Sequence, residues 1–571
     1  MSSAFVVPAH RADPDWWRSQ VVYQIYPRSF ADSDGDGIGD LRGIIDHLDH
    51  LADLGVGVVW LSPIYRSPQD DNGYDISDYT DVDPMFGSLA DLDELIAGLH
   101  ERGIALVMDL VVNHTSDEHP WFVESRDPDS PKRDWYWWRP PRVAEDGTPL
   151  PPTNWESAFS GSAWEFDEAS GEYYLHLFSR KQPDLNWENP EVRKEIHAMM
   201  RWWLDRGVDG FRMDVINFIS KTEPLVDGPE IPGRVYSPAF PMVADGPRMH
   251  EFLHEMYAEV LADRNLITVG EMPGVTVAEA RRYTAADRHE LDMVFTFEHV
   301  ALDVGATKWD RVPISLPVLK KNLASWQEGL ADEGWNSLYW DNHDQPRAVS
   351  RFGDDAPEHR VASAKTLATV LHLHRGTPYV YQGQEIGMTN AGFTEIGQYR
   401  DIEALNHHAE AVAGGADPEV LLAQQAVQTR DNARTPMQWD DSASAGFSSG
   451  TPWIGVNPNH TEINVAAQAG DPDSVLAHYR ELIALRRSEP AIVDGRFELR
   501  YADDEQLWVF TRSTDTTVLT VLANCSSDPV AVPTDLAAEL TDAELLLGTH
   551  DERSPDSLQP WESRLLKTFI E

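Results

Sequence analysis

Three carboxylates in this chain stand where an apolar run ends. Asp214 lies near the end of Gly210-Phe211-Arg212-Met213-Asp214-Val215. Glu271 closes Leu266 to Glu271 (LITVGE), and Asp344 follows Ser337 to Trp340 in Asp341-Asn342-His343-Asp344. An ionised carboxylate at the end of a buried strand is costly unless it is paired or used. Side chains alternate along a strand, so Arg212 and Asp214 point one way and Phe211 and Met213 the other. Taken singly, each carboxylate reads as well as a cap or an ion pair. Three that converge repel one another, a cost that makes sense only if the cluster does chemistry. Cleavage of a glycosidic bond needs two carboxylates whose pKa values are pushed apart, one ionised as nucleophile and one protonated as acid.

A second group of acids lies in Asp32-Ser33-Asp34-Gly35-Asp36-Gly37-Ile38-Gly39-Asp40. Alternate carboxylates with glycine at the turns suit a hard cation, which wants several oxygens from one tightly wound loop. Asp32, Asp34, Asp36 and Asp40, with the Ile38 carbonyl, form the candidate set for a structural Ca²⁺ or Mg²⁺. The loop is EF-hand-like but lacks the closing glutamate, because the twelfth position is Gly43. The plain alternative is a solvated acidic turn.

The elements that must position these groups alternate strand and helix. Strands are expected at Val21 to Tyr26, Val58 to Leu61, Ala105 to Val112, Val208 to Val215, Leu266 to Glu271, Met293 to Phe297, Ser337 to Trp340 and Pro378 to Gln382. Helices are expected between them, at Leu41 to Leu54, Leu92 to Leu99, Val192 to Arg206, Met249 to Asp263 and Val361 to Leu373, with Ser474 to Arg487 after the last strand. Near-continuous apolar strands imply a parallel sheet covered on both faces. Eight of them predict a closed α/β barrel of the TIM type, (β/α)₈, with its site at the C-terminal ends of the strands. An open doubly wound sheet is disfavoured, since no glycine-rich phosphate loop follows the first strand. The barrel is assigned to 1–114 and 190–489. The Trp-, Pro- and Asp-rich stretch 115–189 is an inserted subdomain, and 490–571 a C-terminal antiparallel β-sandwich. Gly387 to Gly455 reads as a second irregular excursion.

Composition narrows the function. The 571 residues are 42% hydrophobic and include 20 Trp, enough for a large core. With 46 basic against 95 acidic residues the net charge is -49, which repels nucleic acid and anionic membrane and suits a neutral substrate. Cys525 is the only cysteine, Met1 to Gln20 lacks a leader pattern, and no run approaches a membrane span. A soluble cytoplasmic protein, monomeric or a weak homo-oligomer, is expected.

The chain resembles the oligo-1,6-glucosidase group of the α-amylase superfamily of retaining glycoside hydrolases. The resemblance rests on Asp109 to His114 (DLVVNH), Gly210 to Val215 (GFRMDV), Gly270 to Val275 and Asn342-His343-Asp344, in that order, and on Gln182 to Trp187 and Arg430 to Trp439. It implies Asp214 as nucleophile, Glu271 as acid and then base, and Asp344 as the group that grips hydroxyls and favours ring distortion. Arg212 would keep Asp214 ionised and lower its pKa, while apolar neighbours raise that of Glu271. Asp71 with Arg430 would hold the terminal glucose and close the pocket. Tyr74 and Phe178 would offer aromatic faces, and His114, Gln182 and His343 polar atoms. Val215 and the Met272-Pro273 pair resemble the members that cleave α-1,6 bonds. The implied partners are small α-glucosides, with no organic cofactor. Alternatives are a broad α-glucosidase on maltose or sucrose with transglucosylation, a sucrose isomerase, whose Arg-x-Asp-Arg-Asp loop is missing at Glu298 to Asp303, and a trehalose-6-phosphate hydrolase. A non-catalytic relative is disfavoured by the complete carboxylate set. Gln384, where relatives commonly have glutamate, is a departure.

Overall fold

The structure is a computed structural model, and it describes residues 13–570. Most of the Met1 to Gln20 stretch read above therefore lies outside the described residues. Eight parallel strands form one sheet: β1 (Val22–Ile25), β2 (Val58–Leu61), β3 (Ala105–Val111), β4 (Gly210–Asp214), β5 (Ile267–Glu271), β6 (Met293–Phe295), β7 (Ser337–Leu338) and β8 (Thr377–Tyr381). Each pairs with the next except β6 with β7, and β8 returns to β1. A single parallel bridge between Val294 and Asn336 joins β6 to β7 and closes the barrel.

Alternation along these strands sorts the side chains into two cores. Val58, Trp60, Ala105, Val107, Ile267, Val269, Met293 and Phe295 fill the barrel interior. Their neighbours Val59, Leu61, Leu106, Met108, Phe211 and Met213 face the surrounding helices. Asp109 continues the inward series of Ala105 and Val107. Arg212 is paired in register with Asp109 on one side and Val269 on the other. The apolar plug of the barrel thus ends in a charged layer at the C-terminal mouth, as the site rule for this architecture requires. Gly210 is needed for that packing, because a Cβ there would meet the Ile267 carbonyl oxygen at 1.9 Å.

Between β3 and the helix Pro190–Arg206 the chain builds a three-stranded antiparallel sheet from Trp138–Arg139, Trp164–Asp167 and Glu172–Leu175. Its buried Trp137, Trp155, Trp164, Leu175 and Leu177 pack against Val215 and Phe218, which seats this stretch over the end of β4. The stretch 387–455 corrects the sequence reading. Besides a short turn of helix at Asp431–Arg434, it contains two helices of more than ten residues, Ile402–Ala413 and Pro418–Gln428, capped by Asp401 and Asp417. Their apolar faces are narrow, with Ala404 the only buried residue of the first, so the pattern signal was weak.

The C-terminal sheet is antiparallel, with β9 (Arg496–Arg500), β10 (Leu507–Ser513), β11 (Thr517–Asn524), β12 (Glu544–Gly548) and β13 (Ser563–Phe569) in the order β9-β10-β11-β13-β12. Trp508, Phe510, Leu519 and Val521 on one face join the main core. Leu507, Val509 and Leu522 on the other pack with Val532, Leu536 and Leu558 beneath a two-stranded ribbon. No helix among the described residues is long and apolar enough to cross a membrane.

Candidate active site

The charged layer centres on Arg212, which is 1% exposed. Its Nη1 lies 2.6 Å from Asp109 Oδ1 and 2.6 Å from Asp214 Oδ1, and its Nη2 lies 2.6 Å from Glu271 Oε1. One guanidinium fork therefore gathers the ends of β3, β4 and β5. Asp214 and Glu271 are thus held side by side, one on each terminal nitrogen of the same guanidinium. Two carboxylates on one guanidinium fork have the close spacing of a retaining glycosidase rather than the wider spacing of an inverting one.

Convergence depends on a strained turn. Val215 has φ +35°, a conformation that a β-branched residue rarely adopts and that costs about 1–3 kcal/mol. This turn aims its backbone N–H at Glu271 Oε2, 3.0 Å away.

The electrostatics correct one expectation. Arg212 does not single out Asp214, since it binds Glu271 equally closely. Burial pushes Asp214 up to about 6, with Arg212 pulling the other way. Burial likewise pushes Glu271 up to about 7, opposed by Arg212 and reinforced by Asp214. The order still matches the roles: between these values Asp214 is ionised and Glu271 protonated. We expect kcat/KM on the substrate to rise with pH as Asp214 deprotonates near 6 and to fall as Glu271 loses its proton near 7. A rate profile from pH 4 to 9 measures both limbs, and a flat profile across 5.5–7.5 would contradict the assignment.

Asp344 differs, with 31% of its side chain exposed. Withdrawal from bulk water works to raise its pKa. His343, Arg430 and Arg434 outweigh that effect and hold the carboxyl well below the usual range. Arg434 is the tightest of these partners, at 2.7 Å.

These groups open into a recess of about 240 Å³ lined by Asp71, Tyr74, His114, Phe178, Asp214, Val215, Glu271, Asp344 and Arg430. Three expected residues lie behind that surface. Arg212 acts through the carboxylates. Gln182, fully buried, donates to Asp71 at 3.2 Å and lies 3.2 Å from His114. His343 takes Gln24 Nε2 on Nδ1 at 2.8 Å, so its Nε2–H faces the Tyr74 hydroxyl at 2.7 Å. Tyr74 in turn donates to Asp109, which fixes the ring. The Asp71–Arg430 pair is present but long, at 3.5 Å. The close partner of Arg430 is Asp401, 2.6 Å away, which the sequence reading missed. Asp401 caps the helix Ile402–Ala413, and an Asp ahead of a helical run is the signal that marks it. Asp109 and Arg434 were also missed, although both fall inside quoted motifs. Lys308 and Glu403, ion-paired at the mouth, were missed as well. Gln384 is buried against the backbone of Tyr381, away from the recess.

In the acidic loop, Asp32, Asp34 and Asp40 bring carboxylate oxygens within 4.8 Å of one another, while Asp36 stands outside that group. Asp32, Asp34 and Asp36 each accept a backbone N–H two residues ahead, which winds the loop. Asp40 accepts from Ser33 and caps the next helix through Gly43 N. Gly37, at φ +95°, has no room for a side chain, since a Cβ would sit 2.0 Å from the Thr451 carbonyl oxygen. Burial and the charges of Asp34, Asp32 and Asp40 raise the Asp36 pKa, a crowding that a cation would relieve. The three clustered carboxylates are of the oxygen-donor type that a hard divalent ion would use.

A (β/α)₈ barrel whose mouth holds a close pair of buried carboxylates in a recess lined by aromatic and polar groups defines a glycoside hydrolase of the retaining kind. Comparison with known proteins agrees and places it further. Residues 24–495 match the model of the alpha amylase catalytic domain, and the chain belongs to the alpha-amylase family. It is 56% identical to an oligo-1,6-glucosidase of Parageobacillus thermoglucosidasius, over 97% of this chain and 99% of that one. It is 49% identical to the trehalose-6-phosphate hydrolase of Bacillus subtilis, over 96% and 97%. The solved trehalose-6-phosphate hydrolase of Bacillus licheniformis superposes with a TM-score of 0.90 at 44% identity, covering 97% of this chain and 99% of that one.

Proposed function

We infer that this protein is an exo-acting retaining α-glucosidase that releases terminal α-1,6-linked glucose from isomaltose and short isomaltooligosaccharides. The observation that carries this reading is the Asp214–Glu271 pair in a recess that also holds Asp71 and Arg430. The 1,6 linkage is supported by the name of the 56% identical relative and by Val215 beside the nucleophile.

In the first step an Asp214 oxygen attacks C1 of the terminal glucose while Glu271 gives its proton to the departing O6. The C1–O6 bond breaks and a β-glucosyl ester forms. In the second, Glu271 takes a proton from water, the water oxygen attacks C1, and Asp214 leaves, so glucose departs as the α anomer. Asp71, Asp344 and Arg430 grip the hydroxyls of the glucose undergoing attack. The Lys308–Glu403 pair at the mouth is placed to meet the leaving sugar.

Side-by-side kcat/KM values on isomaltose, maltose, sucrose and trehalose 6-phosphate test the reading. Preference for isomaltose supports it, and preference for any other sinks the linkage assignment. V215A is expected to shift the isomaltose-to-maltose ratio about 10-fold toward maltose, the scale of one apolar contact. An unchanged ratio would place linkage control elsewhere.

The acidic loop is proposed to hold a structural Ca²⁺ or Mg²⁺ through the clustered Asp32, Asp34 and Asp40 with the Ile38 carbonyl, Asp36 joining them only by turning its carboxylate inward. Chelator treatment should lower Tm by several degrees, with recovery on adding Ca²⁺, and leave kcat/KM well below Tm unchanged. The net charge of -49 supports neutral sugars as partners, and the lone Cys525 supports a reducing, cytoplasmic setting.

A further inference from the structure

Gln24 is a polar residue in an apolar place. It lies on β1, 1% exposed, in register with Trp60 of β2 and Tyr381 of β8. Val22, two residues earlier on the same face, belongs to the barrel plug with Val58, Trp60 and Tyr379. A leucine or methionine would fill this position without the cost of desolvating an amide. The contacts of the side chain show what the amide does there. Its Nε2 donates to Ser62 Oγ at 3.2 Å and meets His343 Nδ1 at 2.8 Å.

The far side of the His343 ring decides where its proton sits. Nε2 lies 2.7 Å from the Tyr74 hydroxyl and 3.1 Å from Asp344 Oδ2. Tyr74 donates to Asp109, so its oxygen faces the ring as an acceptor. Asp344 is ionised, kept low against the effect of burial by His343, Arg430 and Arg434, and can only accept. A bare Nε2 there would set lone pair against lone pair, so Nε2 carries a proton. A second proton on Nδ1 would make the ring a cation. Burial of the ring opposes that, and Arg212 and Arg434 oppose it further, against the pull of Asp344. The ring is therefore neutral with Nδ1 bare, and a bare buried nitrogen needs a donor.

Given the α-glucosidase activity inferred above, we propose that Gln24 is a positioning residue of the reaction: its amide donor pins the His343 proton on Nε2, and that N–H holds Asp344 in the orientation that grips the glucose. Gln24 itself touches no substrate. It acts through His343, which is fully buried, on Asp344, which lines the recess. The contribution belongs to the chemical step, because contacts to the hydroxyls of the reacting ring strengthen as the oxocarbenium-like transition state forms. The amide in the barrel interior is then a fixed part of the site, set one strand away from the groups it serves.

Two measurements test this, and the first needs no substrate. In full-length enzyme labelled with ¹⁵N-histidine, His343 is identified by the signals lost in H343N. At pH 7 its ring should show a protonated Nε2 and a bare Nδ1, and the Nδ1 resonance should move downfield in Q24M, where the donor is gone. The second is kinetic. Q24M keeps the length of the side chain, and its kcat on isomaltose should fall about 10–100-fold, the scale of losing the bond that orients a ligating histidine. KM should change by less than about 2-fold, since the loss falls on the transition state. Should Q24M fail to fold, Q24N, with its amide one methylene short of His343, carries the same expectations. A proton on Nδ1 in the parent, an Nδ1 signal indifferent to the variant, or an unchanged kcat would each overturn the proposal. Absence of parental turnover on every α-glucoside removes the activity itself, whereas the wrong tautomer in an active enzyme removes only the role of Gln24.

Discussion

Replacing Asp214 with asparagine is expected to lower kcat on isomaltose by about 10⁵-fold, equivalent to ~7 kcal/mol of transition-state stabilisation. The amide fills the same space but cannot form the glucosyl ester, and every later step depends on that ester. The fold should survive. Asp214 has its pKa raised to about 6 by burial, so the folded chain holds the proton more tightly than the unfolded one. For such a group stability falls as pH rises through the window between its ordinary value and about 6, and at pH 7 the buried charge is a net cost. Arg212 keeps Asp109 and Glu271 in the variant. Tm at pH 7 should therefore equal or exceed that of the parent. Calorimetry together with steady-state rates checks both halves. Retained turnover would remove Asp214 from the nucleophile role, and a collapse in Tm would show that the pair stabilises the barrel.

Replacing Glu271 with glutamine should have an effect that depends on the leaving group. On isomaltose the departing alkoxide needs a proton, so kcat/KM should fall about 10³–10⁴-fold. On 4-nitrophenyl α-glucoside the phenolate leaves without one, and kcat/KM should fall by less than about 10-fold. There kcat still drops, because water attack on the ester loses its base. Azide, a nucleophile that needs no base, should restore kcat and yield glucosyl azide. Equal losses on both substrates would mean that Glu271 acts by positioning and not as an acid. The close contact with Arg212 makes this distinction worth measuring, because the same fork holds both carboxylates.

Much of this site was legible in the chain because strands bring their ends to one place. The run Ala105–Val111 is buried throughout, and such uninterrupted apolar stretches announce a covered parallel sheet. Once Arg212 and Asp214 are set on one face by alternation, the barrel dictates that they meet Glu271. The register of β4 against β3 and β5 was not visible, so Asp109 went unassigned although it sits directly across from Arg212. The pairing of Arg430 with Asp401 left no local trace either, because the two are 29 residues apart in sequence. A Coulombic partner contributed by a distant loop follows from packing and not from pattern. The same applies to pKa values: the sequence places a cation beside Asp214, but only the structure shows that burial outweighs it.

The most direct single measurement is the ¹H NMR spectrum of isomaltose during its first minutes with the enzyme, before mutarotation scrambles the anomers. The account requires hydrolysis in which new glucose from the non-reducing unit appears as the α anomer. Early β-glucose in excess of the share that the leaving reducing unit already carries would contradict the double displacement through Asp214. Absence of turnover would contradict the assigned activity itself.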